Sequence, residues 1–397
     1  MSGPLEGVRI LDLTQVQAGP SSTQLLAFLG ADVIKIEEPG KGDRTRVEMA
    51  HRKDMDSFYY LVFNANKRSL CLNLKKPEGV EIFHRLASIS DAVVENYGPG
   101  RMESFGLGQE SLRKRHPHLV FASIKGFGSY GPYAGYKSYE NVAQAMGGAM
   151  STNGYPDRPP TWVSPGVGDS GTGLHCAIGL LAALRQRDKT GVGAYVEVAM
   201  QDAIVNLMRV RMVETLPAGN PVKRTGNRVW GGPSLVYPCA PGGPDDYVTI
   251  TIAGDAWDSI LAVVGRADLI GDERYATSEA RSQRLNDVET LISTWTATRT
   301  KREVMATMAE LGIPCGAVQD TTELLSDPHL RAREMVIDLN DPKRGTYQVL
   351  GCPIKVSTHK VAVTPPPLLG EDTEQVLSTL LGFTSEQVQR LGTNGVV

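Results

Sequence analysis

The sequence predicts an α/β fold: a parallel sheet with both faces covered, followed by a smaller α+β unit. Two observations carry the first part. Short, nearly continuous apolar runs rich in β-branched residues alternate with helical patterns through the first hundred or so residues, as expected of strands buried on both faces. The chain also has 397 residues, 41% hydrophobic and 21% charged, which is enough for two folded domains of ordinary composition. A shift of pattern near Trp230, after a stretch of linker composition, predicts the second part.

The elements follow in order. "VRILDL" (8–13) reads as the first strand. "SSTQLLAFLG" (21–30) reads as a helix opened by Pro20 and the serines and closed by Gly30, and "DVIKIE" (32–37) as the second strand. "SLCLNL" (69–74), the helical "KPEGVEIFHRLASI", "DAVVEN" (91–96) and "HLVFASI" (118–124) repeat the unit. "GLHCAIGLLAALRQR" (173–187) is apolar nearly all round and predicts a buried helix. "AYVEVAM" (194–200) is a strand, "QDAIVNLMRVRMVETL" (201–216) a second long helix, and "PAGNPVKRTGN" (217–227) a linker. Beyond it, a strand is expected near "DYVTITIA" and helices near "WDSILAVVG", "LNDVETLISTWTAT" and "KREVMATMAELG", before a tail of mixed strand and helix.

Composition excludes several classes of function. A net charge of −3 offers no electrostatic case for a nucleic acid or an acidic membrane as partner. No apolar run approaches the ~20 residues of a membrane span. The five cysteines (Cys71, Cys176, Cys239, Cys315 and Cys352) form no CxxC, and the seven histidines supply no HxxxH or HExxH. A disulfide framework and a metal site are therefore not expected, and scattered thiols suit a reducing cytoplasm. "MSGPLEGVRI" lacks the basic and apolar regions of a signal peptide.

Parallel sheets bind ligands at the carboxyl ends of their strands. The strand-end loops "TQVQAGP", "EEPGKGDRTR", "ENYGPGR" and "KGFGSYGP" bring Gln17, Lys41, Arg44, Arg46, Asn96, Tyr97, Arg101 and Lys125 to that edge. So many cations suit a phosphorylated ligand, although each residue alone is equally at home in a solvated loop. In mid-chain, "GVGDSGTGLH" (166–175) sets Asp169 among glycines ahead of the apolar helix. The G-x-G-x-x-G it contains follows a poor strand, and a carboxylate at the turn repels a pyrophosphate, so it is not a dinucleotide fingerprint. Asp169 reads either as a helix N-cap or as a nucleophile, and the two are compatible. A carboxylate at a helix start stays ionised, and flanking glycines admit a large electrophile. His175, on the apolar helix, reads as a satisfied core histidine rather than a base.

As a group, "GVRILDLTQVQAGP", "ADVIKIEEPGKGDRTR", "NKRSLCLNLKKPEG", "VENYGPG", "YENVAQAMGG", "GDSGTGLH", "LSDPHLRAR" and "PLLGEDTEQVL" resemble the class III CoA-transferases (the CaiB/BaiF family), with the formyl-CoA:oxalate branch nearest. The resemblance covers essentially the whole chain. It implies a homodimer of interlocked ring-shaped subunits. In each, residues 1–216 and 330–397 form a large Rossmann-like CoA-binding domain, 217–229 a linker, and 230–329 the small α+β domain. It implies no permanently bound cofactor, with coenzyme A thioester and a short carboxylic acid as substrates. Asp169 then takes the position of a covalent nucleophile, Gln17 of an amide donor beside it, and Tyr139 and Glu140 of active-site neighbours. Gly231 and Gly232, in "GNRVWGGPS", match a mobile flap, with Trp230 adding apolar cover. Leu74, Lys75, Asn96, Tyr97, Arg101 and Lys137 fall where the family contacts CoA, and Arg46 is counted with them.

Three departures bear on the acid. Glu48 stands where oxalate-specific members carry an aromatic, an insertion between "MRVRM" and "KRTGN" is missing, and the cations expected near Glu38 and Ser104 are displaced, with Arg101 nearest. Succinate, acetate or another short acid is the alternative to oxalate. A racemase of the same fold calls for a His where Tyr139 stands, and a non-catalytic CoA-binding subunit calls for loss of the intact "GDSGTG".

Overall fold

The computed structural model describes residues 3–53, 55–252 and 256–397. Six strands form one parallel sheet: β1 (Arg9–Leu13), β2 (Asp32–Glu37), β3 (Arg68–Cys71), β4 (Ala92–Glu95), β5 (Val120–Lys125) and β6 (Tyr195–Ala199), in the order β3-β2-β1-β4-β5-β6. This is the doubly wound order, in which the winding direction reverses between β1 and β4. Successive side chains point to opposite faces. Leu11, Ile34 and Val93 pack on one face with Phe83 and Leu86 of the helix Pro77–Ala87 and with Val376, Leu377 and Leu391 of the tail helices Thr373–Leu381 and Ser385–Thr393. Ile10, Val33 and Val94 pack on the other with Leu26 of the helix Ala18–Phe28 and Cys176, Leu180 and Leu184 of the helix Asp169–Thr190. The near-continuous apolar strands thus follow from burial on both faces.

Several elements differ from the sequence reading. β2 is met residue for residue, but β3 stops at Cys71. The reason is the chain's end: Asn73 N–H donates to Val396 O at 2.8 Å and leaves the ladder. The helix over 173–187 begins earlier, at Asp169, and is not buried all round, because Leu174 is 51% and Ile178 67% exposed. The long helix over 201–216 is two, Met200–Leu207 and Arg209–Thr215, and the second buries none of its residues.

By contact the chain divides into two compact units: residues 1–151, 161–222 and 332–397, and residues 152–160 with 223–331. The segment 152–160 falls within the large domain of the sequence reading, yet it belongs to the smaller unit. There Gly226 N–H donates to Gly154 O at 2.9 Å, and Arg224 donates to Tyr155 O. The smaller unit carries an antiparallel sheet, β7 (Val236–Pro238), β8 (Tyr247–Ile250) and β9 (Cys315–Ala317). Val248 and Ile250 pack under the helices Ala256–Val263, Leu285–Thr296 and Lys301–Glu310. β10 (Val336–Asp341) and β11 (Gly345–Leu350) pair antiparallel in the tail of the larger unit.

Candidate active site

The loops after β1, β4 and β5 meet where the winding reverses, and there they line a cleft of about 350 Å³ within the larger unit. The loop after β1 is shaped from below by charge. The Asp12 carboxylate, fully buried, accepts from Thr14 N–H at 2.9 Å, Thr23 Oγ1 at 2.7 Å and Lys67 Nζ at 2.9 Å. Burial opposes its ionisation, but Lys67 and Lys35 overcome that and hold the carboxyl down at about 2. Lys35 donates to Thr14 O at 2.7 Å and pairs with Asp43 at 3.0 Å, and Asp43 in turn accepts from Val16 N–H at 3.2 Å. Val16 is thereby held at φ +68°, a strained backbone for a β-branched residue. The next residue is Gln17.

Gln17 is oriented at both ends. Its Nε2 donates to Ser170 Oγ at 3.0 Å, and its Oε1 accepts from Tyr59 O–H at 3.5 Å. Among the described residues the amide's second N–H has no partner, and Gln17 lines the cleft. Asp169 lies on the same wall. It is not the N-cap: Gly168 is, and Asp169 is the first helical residue. The missing cap is supplied by Glu140, whose carboxylate accepts from Gly168 N–H at 2.8 Å and Asp169 N–H at 2.5 Å, and from Gln144 Nε2 at 2.6 Å. Among the described residues none donates to the Asp169 carboxylate. Burial first, and then the Glu140 charge, raise it to about 7, with Arg44 acting against both. The expectation that a helix start keeps Asp169 freely ionised is therefore corrected, because desolvation and a like charge outweigh the helix end.

The glycines around Asp169 are filled from within the protein rather than left open for a ligand. A methyl group at Gly166 would overlap Gln17 Nε2, one at Gly168 would press on Glu140, and one at Gly173 would overlap Ser21 Oγ and Ala18 O. His175 is occupied as expected: one ring nitrogen meets Gly171 O at 2.7 Å and the other Asn206 Nδ2 at 2.7 Å.

The remaining residues sort by position. Tyr139, Lys137, Asn96 and Tyr97 line the cleft. Tyr139 is exposed, with Arg44 over its ring. Asn96 spends both ends of its amide on the backbone of Gln15, donating to its O and accepting from its N–H at 2.8 Å each, so it joins the β1 and β4 loops. Burial pushes the Tyr97 phenol up to about 12. Leu74, Lys75 and Arg101 line a second depression. There Lys75 pairs with Glu38 at 2.6 Å, Arg101 lies over Phe105, and Leu74 is buried in the core. Arg46 is different. It is buried, its guanidinium donates to both oxygens of Glu37, to Asp56 and to Pro367 O, and it does not line the cleft. Its grouping with the CoA contacts is corrected, because these partners leave it no free face. Glu48 meets Arg44 at 3.3 Å.

In the smaller unit, Gly231 and Gly232 form the tip of a turn whose base is pinned by Glu289. That carboxylate takes Arg228 at 2.8 Å and Ser234 N–H at 2.8 Å. Gly231 lies at φ +72° and the exposed Trp230 at φ +52°, unfavourable for so bulky a residue. Tyr59 and Ser170 escaped the sequence reading. Ser170 had a signal in its place beside Asp169, whereas Tyr59 sits in an apolar "FYYLVF" run with none.

The sequence pattern of CoA-transferase family III matches residues 5–373. A formyl-CoA:oxalate CoA-transferase of Streptomyces avermitilis is 44% identical over 411 aligned residues, covering 100% of both chains. One of Escherichia coli O157:H7 is 40% identical, again covering 100% of both. Among solved structures, a CaiB/BaiF family protein from Brucella suis superposes with a TM-score of 0.85 at 31% identity, over 96% of this chain and 100% of that one. The chain belongs to CoA-transferase family III, and it is a class III CoA-transferase.

Proposed function

We propose that the protein moves CoA from formyl-CoA to oxalate, with Asp169 as covalent nucleophile. The observation that carries this is the Asp169 carboxylate, unpaired by any described donor, beside an oriented amide at the sheet's switch point. The full-length relatives named for this exchange support the choice of substrates.

Asp169 attacks the formyl carbonyl, forming an aspartyl–formyl anhydride and releasing CoA thiolate. The thiolate attacks the aspartyl carbonyl, giving an aspartyl-CoA thioester and formate. Oxalate attacks that thioester, forming an aspartyl–oxalyl anhydride and freeing the thiolate again. The thiolate attacks the oxalyl carbonyl, and oxalyl-CoA leaves with Asp169 restored. Each step exchanges acyl linkages of similar energy, so one hard transfer becomes four easier ones. The free Gln17 N–H stabilises the oxyanion without competing as a nucleophile. Gln17→Ala is expected to lower kcat by roughly 10²-fold, the scale for one oxyanion donor. An unchanged kcat in a steady-state assay would make Gln17 structural.

CoA lies along Lys137, Asn96 and Tyr97, with Lys75 and Arg101 at its phosphates and Leu74 beneath. Two copies pair through exposed apolar residues of the helices Asp169–Thr190 and Arg209–Thr215, among them Leu174, Ile178, Val210 and Val213.

The nucleophile must be ionised. With Asp169 at about 7, kcat/KM is expected to rise with pH and level off above that value. Glu140→Gln removes the neighbouring charge and moves the rise to lower pH. A flat profile from pH 5 to 9 would deny Asp169 this role. The reading as a whole is tested by incubating the protein with formyl-CoA, succinyl-CoA or acetyl-CoA against a panel of acids and identifying the CoA esters by mass spectrometry. Oxalyl-CoA from formyl-CoA is expected to dominate. Exchange among other acids only would move the substrate and keep the mechanism.

A further inference from the structure

Arg44 and Arg46 stand in one short turn, Arg44–Arg46, and part company. Arg46 turns inward and is consumed by Glu37 and Asp56. Arg44 turns into the cleft that holds Gln17, Tyr139 and Asp169. Its side chain is 44% exposed. Its Nε meets Glu48 at 3.3 Å and one Nη meets Tyr139 O–H at 3.5 Å, both long contacts. Most of a five-donor fork therefore faces the cleft without a described partner.

The Glu48 pair is weak by construction. Both side chains are half-exposed and 3.3 Å apart, so solvent screens the pair and it contributes little. An anion entering the cleft displaces Glu48 at little cost and gains the planar, two-pronged geometry that guanidinium offers a carboxylate. The chemistry at Asp169 says which anion this is. A monocarboxylic acceptor carries its only charge at the reacting carboxylate. A dicarboxylic acceptor brings a second charge that must be desolvated with the first, in a cleft whose wall already holds Asp169. Without a cation beside it, that second charge is excluded.

We infer that Arg44 selects the acceptor: its guanidinium takes the distal carboxylate of a short dicarboxylic acid whose near carboxylate reacts at Asp169, and Glu48 holds the fork until that acid enters. This rests on the CoA-transfer reading above and makes Glu48 a gate rather than an obstacle to a dianion. It also explains how a chain with a glutamate paired to Arg44 accommodates a dianion.

The test compares oxalate with oxamate, which replaces the distal carboxylate by a neutral amide of the same shape. Binding of each to the resting protein is measured by calorimetry, and CoA transfer to each from formyl-CoA is measured in parallel. Wild type is expected to bind oxalate at least about 10-fold more tightly than oxamate, as charge-assisted pairing predicts. Arg44→Met is expected to cut that ratio about 10-fold or more, in both binding and kcat/KM. Glu48→Gln is expected to raise it. The ratio is the readout because loss of Arg44 also alters Asp169, and that affects both acids alike. An unchanged ratio in Arg44→Met, or a loss confined to CoA affinity, overturns the assignment. Absence of transfer with an Arg44-dependent binding preference intact would overturn the transfer reading and leave the anion site standing.

Discussion

Asp169→Ala is expected to reduce CoA transfer by about 10⁶-fold, the scale on which enzymes lose rate when a covalent nucleophile is removed. The fold is expected to survive, because among the described residues no donor loses a partner with that carboxylate. A variant with near-wild-type turnover would end the covalent mechanism. Asp169→Asn adds a second signature. The native acid, raised to about 7, keeps its proton between roughly pH 4 and 7 while the unfolded chain has released its own. Folding is therefore penalised increasingly as pH climbs through that window. The asparagine variant escapes the penalty, so it is expected to melt above wild type at pH 8, with the gap narrowing toward pH 4. A variant melting below wild type at pH 8 would show that the carboxylate is not strained. An inactive protein more stable than its parent is what a site that stores energy in its nucleophile should produce.

The second large effect lies beneath the site. Lys67→Met strips the fully buried Asp12 of the ammonium 2.9 Å away, and also leaves Asn64 Oδ1 and Pro20 O short of a donor. Removing one member of a buried ion pair costs about 3–5 kcal/mol, because the other charge stays behind. The urea midpoint is expected to fall accordingly, and Asp12→Asn added to Lys67→Met should restore part of it. A midpoint shift worth less than about 0.5 kcal/mol would mean that Lys35 alone supports Asp12. The Asp12 contribution is present above the unfolded carboxyl's value near 4 and fades as pH falls toward 2, so the two proteins should converge in acid.

Much of this was legible in the sequence. The apolar strand runs fixed the parallel sheet, and β2 was bounded to the residue, because burial on both faces leaves no ambiguity of pattern. Reading the strand-end loops as one set reached the cleft, since a doubly wound sheet opens there. What escaped is tertiary. Arg46 looks like its neighbour Arg44 until Asp56 and Pro367, one of them more than three hundred residues away, close around it. The short strands β7 and β9 owe their existence to β8 rather than to their own three residues. The raised Asp169 comes first from burial and then from Glu140, twenty-nine residues earlier, neither of which local chemistry at "GDSG" announces.

The absent side chain at Gly173 has a consequence for how such an enzyme changes its diet. Helices Ala18–Phe28 and Asp169–Thr190 touch main chain to main chain there, and Gln17 and Asp169 stand at their ends. The span between donor and nucleophile is gauged by peptide units, which substitution of surrounding side chains scarcely alters. The side chains of Arg44 and Glu48 enter no part of that gauge, although Asp43, which caps their turn, holds the backbone just before Gln17. Acceptor preference is therefore free to drift at residues 44 and 48 over generations while the chemical step keeps its dimensions.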